Sequence, residues 1–120
     1  MDYKLINPAY IDSVAGDDIQ IIAELVTLFK EQAAEIYSEM KAFHSRKEYT
    51  FLGMMAHKAK SSVAIMGMSE LAEMLKTFEL SAKEGRSAEL YESYIEKFGE
   101  DTRLAIEELD DLVSNRLKKS

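Results

Sequence analysis

The sequence predicts an all-α protein: an antiparallel four-helix bundle with a short extra helix at the N-terminal end. Three observations carry this expectation. Apolar residues recur at three- and four-residue spacing along most of the chain. No segment alternates apolar and polar residues with period two, as a half-buried strand would. The connections between the periodic segments are short, which makes consecutive long helices antiparallel neighbours.

Each element has its own signals. Asn7-Pro8 is a helix start, with Asn7 as cap and the proline at the first helical position, opening a short helix to about Ala15 that Gly16 breaks. Asp17 or Asp18 starts a long helix to about His44, with stripe Ile22, Leu25, Val26, Phe29, Ala33, Ile36, Met40 and Phe43. A turn at Ser45-Arg46-Lys47 leads to a third helix, from about Glu48 to Met66, which Gly67 ends. Ser69 is the expected cap of a fourth helix with stripe Leu71, Leu75, Phe78 and Ala82, stopped near Gly85. Ser87 is the expected cap of a fifth, with Leu90, Tyr94, Phe98, Ala105, Leu109 and Leu112 inward and a softening or kink at Gly99.

At 120 residues the chain has enough surface to bury one core and not two, so residues 1–120 are expected to be one domain. Apolar residues make up 47% and charged residues 31%, the balance of an ordinary globular protein. No apolar run is long enough to span a bilayer and no signal-peptide pattern opens the chain, so a cytoplasmic monomer is expected. The net charge of −7 argues against nucleic acid and anionic membranes as partners. Cysteine is absent, which removes disulfides, thiolate zinc sites and cysteine nucleophiles together. The seven methionines, several at stripe positions, read as core filler, with a methionine-lined ligand groove as the minor alternative. No H-E-x-x-H and no paired E-x-x-H occurs, which removes a zinc protease and a carboxylate-bridged di-iron bundle, and there is no phosphate-cradling glycine loop of the P-loop kind. His44 with Glu48 reads as a surface pair, and the acidic run Glu107-Glu108-Leu109-Asp110-Asp111 as a solvated face around Leu109.

The third helix holds the one reactive group. At about 100° per residue, Leu52, Met55, Ala59, Val63 and Met66 lie within about 60° of the direction opposite His57. Those five must pack inward, so His57 projects outward. Its helical neighbours are Thr50, Gly53, Lys60, Ser61 and Ala64, almost all small. Gly53, Ser61 and Ala64 would form a low docking face that lets another protein approach the ring. A neutral imidazole is a good nucleophile near physiological pH. Lys60 would disfavour the imidazolium by like-charge repulsion and offset the charge of a phosphoryl group on the ring. Ser61 could donate a further hydrogen bond, and Lys58 reads chiefly as a solvated flank that could assist electrostatically.

His57, Lys60, Ser62, Val63 and Gly67 resemble the histidine-containing phosphotransfer (HPt) motif H-x-L-K-G-[SA]-[AS]-x-x-[LI]-G. Gly67, Leu71, Leu75, Phe78 and Glu79 are similar to the segment that follows it, G-x-x-x-L-x-x-x-[CL]-x-x-[LF]-E, and LVTLFKEQAAEIYSEM is similar to the family's second helix. The resemblance covers about 9–113. Ala59 stands where leucine or phenylalanine is usual, and Ser61 where glycine is usual. The resemblance implies a phosphoryl relay. His57 would accept phosphate, through Nε2, from an aspartyl phosphate on the receiver domain of a hybrid sensor kinase. It would pass it to the aspartate of a response regulator, the magnesium belonging to the receiver, so that the chain itself would need no metal or nucleotide cofactor. The alternative is a helical module that docks a receiver or another signalling protein and carries no phosphate.

Overall fold

A computed structural model describes residues 3–119. The elements run α1 (Pro8–Ala15), α2 (Ile19–Ser45), α3 (Tyr49–Ile65), α4 (Ser69–Glu84), a single 3₁₀ turn (Ala88–Leu90) and α5 (Tyr91–Lys119). Among the described residues there is no strand. The four long helices close a ring: α2 packs on α3 and α5, and α4 packs on α3 and α5, with α1 laid across α2 and α3. The bundle measures 49 × 20 × 20 Å, and among the described residues no helix is long and apolar enough to cross a membrane.

Local chemistry sets the helix ends. Asn7 Oδ1 accepts the N–H of Tyr10, and Asp18 Oδ1 accepts those of Gln20 and Ile21, so two otherwise unpaired first-turn donors are met at α2 and one at α1. The other two expected caps are absent. Ser69 is the first residue of α4 and Met68 its cap, with no side-chain hydrogen bond. Ser87, in the left-handed region at φ +59°, opens the 3₁₀ turn and likewise caps nothing with its side chain. That turn shifts the helical phase. Leu90 is 43% exposed instead of inward, and Tyr91 and Ile95 take the core positions.

The core runs the length of the bundle through Ile22, Ile36, Met40, Leu52, Ala59, Val63, Leu75, Phe78, Phe98 and Leu109. Tyr91 is fully buried at its lower end, where its hydroxyl lies 2.8 Å from the Ser81 carbonyl and 2.7 Å from that of Arg86. It thereby ties the C-terminal end of α4 to α5. α5 runs through Gly99 without a break in its helical assignment. A Cβ there would stand 2.5 Å from Cε1 of Tyr37, so the glycine admits the α2 tyrosine against the α5 backbone.

The acidic run of α5 is a clasp, and not the solvated face its composition suggests. Glu108 accepts the backbone N–H groups of Lys4, Leu5 and Ile6 at 3.0–3.1 Å. Asp111 accepts the Tyr3 hydroxyl at 2.7 Å, and Asp110 pairs with Lys30 of α2. A bidentate Arg116–Asp12 pair fastens α1 to the same helix. Together these hold the N-terminal segment against α5, and the N–H of Asn7 then meets the carbonyl of Met66 at 3.0 Å.

This last contact makes Gly67 a sensitive position. Its φ is +73°, and a Cβ would lie 2.5 Å from Asn7 Cβ and 3.3 Å from Asn7 Cα. Gly85 has a similar φ of +68° with nothing within 4 Å. Urea unfolding should therefore separate the two: Gly85→Ala loses about 1 kcal/mol from left-handed strain alone, and Gly67→Ala loses about 2–3 kcal/mol because Asn7 must also move.

Candidate functional site

The site forms where α3 crosses α4. His57 stands in the middle of α3 with its side chain 60% exposed, and its Nδ1 lies 3.0 Å from Oε2 of Glu79, one α4 residue. An ionised carboxylate only accepts hydrogen bonds, so the neutral ring carries its proton on Nδ1. Nε2, on the opposite edge, is left with a free lone pair. The tautomer therefore follows from the partner.

Glu79 is a buried charge with several donors. It is 6% exposed. Besides His57 it takes Lys60 Nζ on Oε1 at 3.1 Å and Lys83 Nζ on Oε2 at 2.7 Å. Burial pushes its carboxyl pKa up, but the hydrogen bonds from Lys83 and Lys60, the Lys60 charge and that of His57 outweigh it. The result is a pKa lowered to about 2. Glu79 stays ionised, and so remains an acceptor for Nδ1, across the whole physiological range.

The other residues singled out by sequence fall into different places. Lys60, expected to act on the ring by repulsion, is 30% exposed with its ammonium engaged by Glu79. Ser61 and Ala64 are exposed beside the ring, as is Lys58. The Ser61 hydroxyl donates at 3.4 Å to the carbonyl of His57, back along its own helix, and so is not aimed at the imidazole. Ser62 is 8% exposed and donates to Gln32 Oε1 at 2.9 Å, a tie between α3 and α2.

Gly53 is not part of the open face. It is buried against α4, where a Cβ would meet Lys83 Cγ at 3.1 Å and the Glu79 carbonyl at 3.4 Å. The reason is that α3 packs between two neighbours, α2 and α4, so its buried arc is wider than one stripe. Gly53, Ala56 and Ser62 are buried in addition to Leu52, Ala59 and Val63. The exposed row flanking the ring is also more apolar than expected: Phe51 is 50% exposed, Met54 51% and Ile65 40%.

Glu79 and Lys83 are the two members of the site that reasoning from α3 alone misses. The signal was present. Glu79 is four residues after Leu75, on the apolar face of α4, and a carboxylate there must find cations.

A family model described as the Hpt domain matches residues 24–116, most of the chain and all of the residues just described. Comparison with curated proteins and with solved structures gives no match.

The buried carboxylate gives the site a pH signature. A carboxyl depressed from 4.5 to about 2 in the folded state contributes stability that is fully present above about pH 4.5 and is lost as pH falls toward 2. The full linkage is about 3 kcal/mol, nearer 2 once solvent around the half-exposed Lys83 is allowed for. Glu79→Gln should lower stability at pH 7 by that amount and flatten the acid limb, measured by urea unfolding between pH 2 and 7. An acid limb unchanged by the substitution would contradict the assignment.

Proposed function

The chain belongs to the Hpt domain family, whose role is histidine phosphotransfer in two-component signalling, and on that premise we propose that His57 is the phosphoryl carrier of a relay between receiver domains. One observation carries the reading. The ring is exposed, its Nδ1–H is held by an ionised carboxylate, and its Nε2 lone pair is therefore available to a partner.

The chemistry follows from that arrangement. Nε2 attacks the phosphorus of a receiver's aspartyl phosphate, the P–O bond to the aspartate breaks, and the aspartate leaves as a free carboxylate. The ring becomes a phosphoimidazolium with its proton still on Nδ1. The Glu79 carboxylate, already in contact with that proton, stabilises the positive charge that develops. Because the proton stays, Nε2 remains a good leaving group, and the same steps run in reverse onto the aspartate of a response regulator. Lys60 serves as the adjacent cation that offsets the phosphoryl charge.

The open row of Met54, Lys58, Ser61, Ala64 and Ile65 is where a receiver would rest, since any aspartate brought to Nε2 must bring its surrounding surface over one or two turns of α3 on either side. A monomer formed by one domain over 1–120, working in the cytoplasm, completes the reading.

Incubation with a phosphorylated receiver should place acid-labile, alkali-stable phosphate on the protein, lost in His57→Gln and retained in His44→Gln. Absence of label on the wild type with several receivers would favour a docking module without phosphate. Ser61→Gly should leave transfer unchanged or faster, at a stability cost of about 0.5 kcal/mol, because the hydroxyl points away from the ring. Slower transfer in that variant would give the hydroxyl a part in the reaction.

A further inference from the structure

We propose that the cleft between the N-terminal segment, α4 and α5 binds a small molecule with an apolar body and one ammonium group, the ammonium held by Asp101. No residue lining this cleft belongs to the His57 site, so the proposal stands apart from the phosphohistidine reading.

The cleft has a volume of ≈ 650 Å³, and small-molecule sites are commonly about 300–1,000 Å³. One wall is pinned in place. Glu108 accepts the backbone N–H groups of Lys4, Leu5 and Ile6, and the Met66 carbonyl accepts that of Asn7. The N-terminal segment is thus held to α5 and to the end of α3, and the opening beside it is preformed. Leu5, Ile6, Met68, Leu71 and Met74 give the cleft its apolar lining. Two methionines therefore share one groove, where the thioethers can adapt to the shape of an apolar body.

Asp101 supplies the polar group. It is 8% exposed, close to the 6% of Glu79. Its provision with donors is much poorer. Glu79 has three partners at 2.7–3.1 Å. Among the described residues Asp101 has only Lys97, whose ammonium lies 3.4 Å from Oδ1 and 3.2 Å from Oδ2. That lysine side chain is itself 60% exposed. A carboxylate offers about four lone-pair sites, and one distant ammonium leaves most of this capacity unused at the cleft wall.

Burial decides the sign of the ligand. Four charged residues line the cleft: Lys4, Glu70, Lys97 and Asp101. The first three are exposed and keep their hydration, and Asp101 alone is withdrawn from water. A ligand ammonium gains most at Asp101, because it replaces hydration that folding has already removed. Lys97 then turns to solvent. An anionic ligand placed there would meet a like charge. The first turn of α4, whose cap Met68 makes no side-chain hydrogen bond, is the one feature of the rim that favours an anion. A carboxylate ligand is accordingly the competing outcome of the test.

Amide NMR of the ¹⁵N-labelled chain, titrated with hexylamine and with hexanoate at neutral pH and physiological salt, tests this. Hexylamine should move the signals of Leu5, Leu71 and Asp101 along saturable curves, and hexanoate should leave them in place. Asp101→Asn should weaken hexylamine binding about tenfold, the loss expected for one charge-assisted hydrogen bond. Lys97→Met removes the internal competitor and should tighten binding about threefold. Asp110→Asn, also on α5 but outside the cleft, should leave the affinity unchanged, which separates the site from a general attraction of cations to a chain of net charge −7. Lys97→Met removes only an exposed group, so it keeps the test decisive should Asp101→Asn fail to fold. Unchanged affinity in Asp101→Asn, weaker binding in Lys97→Met, or unsaturable shifts spread over the acidic surface would each overturn the proposal. Hexanoate binding in place of hexylamine would overturn it as well.

Discussion

The ionised carboxylate of Glu79, buried where α3 meets α4, is the constraint on which the site is built. Removing a carboxylate from water costs several kcal/mol unless donors replace the lost hydration. Here the imidazole and two lysines do so from both helices. The requirement works in both directions. The carboxylate needs those donors close, which draws α3 onto α4, and the close approach is possible because Gly53, Ala56 and Ala59 are small. Once the helices are that near, the imidazole has one hydrogen-bonded orientation and one tautomer. The packing and the chemistry are the same interaction viewed from different ends.

The outer face of α3 illustrates how the molecule divides its labour. Phe51, Met54 and Ile65 remain about half exposed there, and Phe51 stacks its ring on Phe43 of α2 with centroids 5.5 Å apart. Other ties lie at the far elements. The Glu108 clasp on three successive backbone amides, the Arg116–Asp12 pair and the buried Tyr91 hydroxyl all fasten chain ends and helix ends away from His57.

Most of the fold was legible in the sequence, because helix periodicity and end signals are local. Asn7, Asp18 and the glycines at 16, 67 and 85 mark the boundaries found in the structure. The outward direction of His57 also followed from residue spacing alone. What escaped was everything that depends on which helix lies beside which. Gly53 is small for the sake of the Lys83 stem, Gly99 for the ring of Tyr37, and Glu108 for the N-terminal amides. None of these partners is a sequence neighbour. Leu90 and Tyr91 exchanged places for a different reason: a 3₁₀ turn advances the chain by more than 100° per residue, and a stripe extrapolated through it lands on the wrong side.

The α3–α4 pair, the most extensive helix contact in the bundle, has a kinetic consequence. His57 and Glu79 are only 22 positions apart, so closing the loop that joins them carries a small entropic penalty. Contacts of short sequence separation form faster than those that must close long loops. The reactive ring is thus configured by a short-range folding event. The N-terminal clasp is the opposite case, its partners lying more than 100 positions apart along the chain.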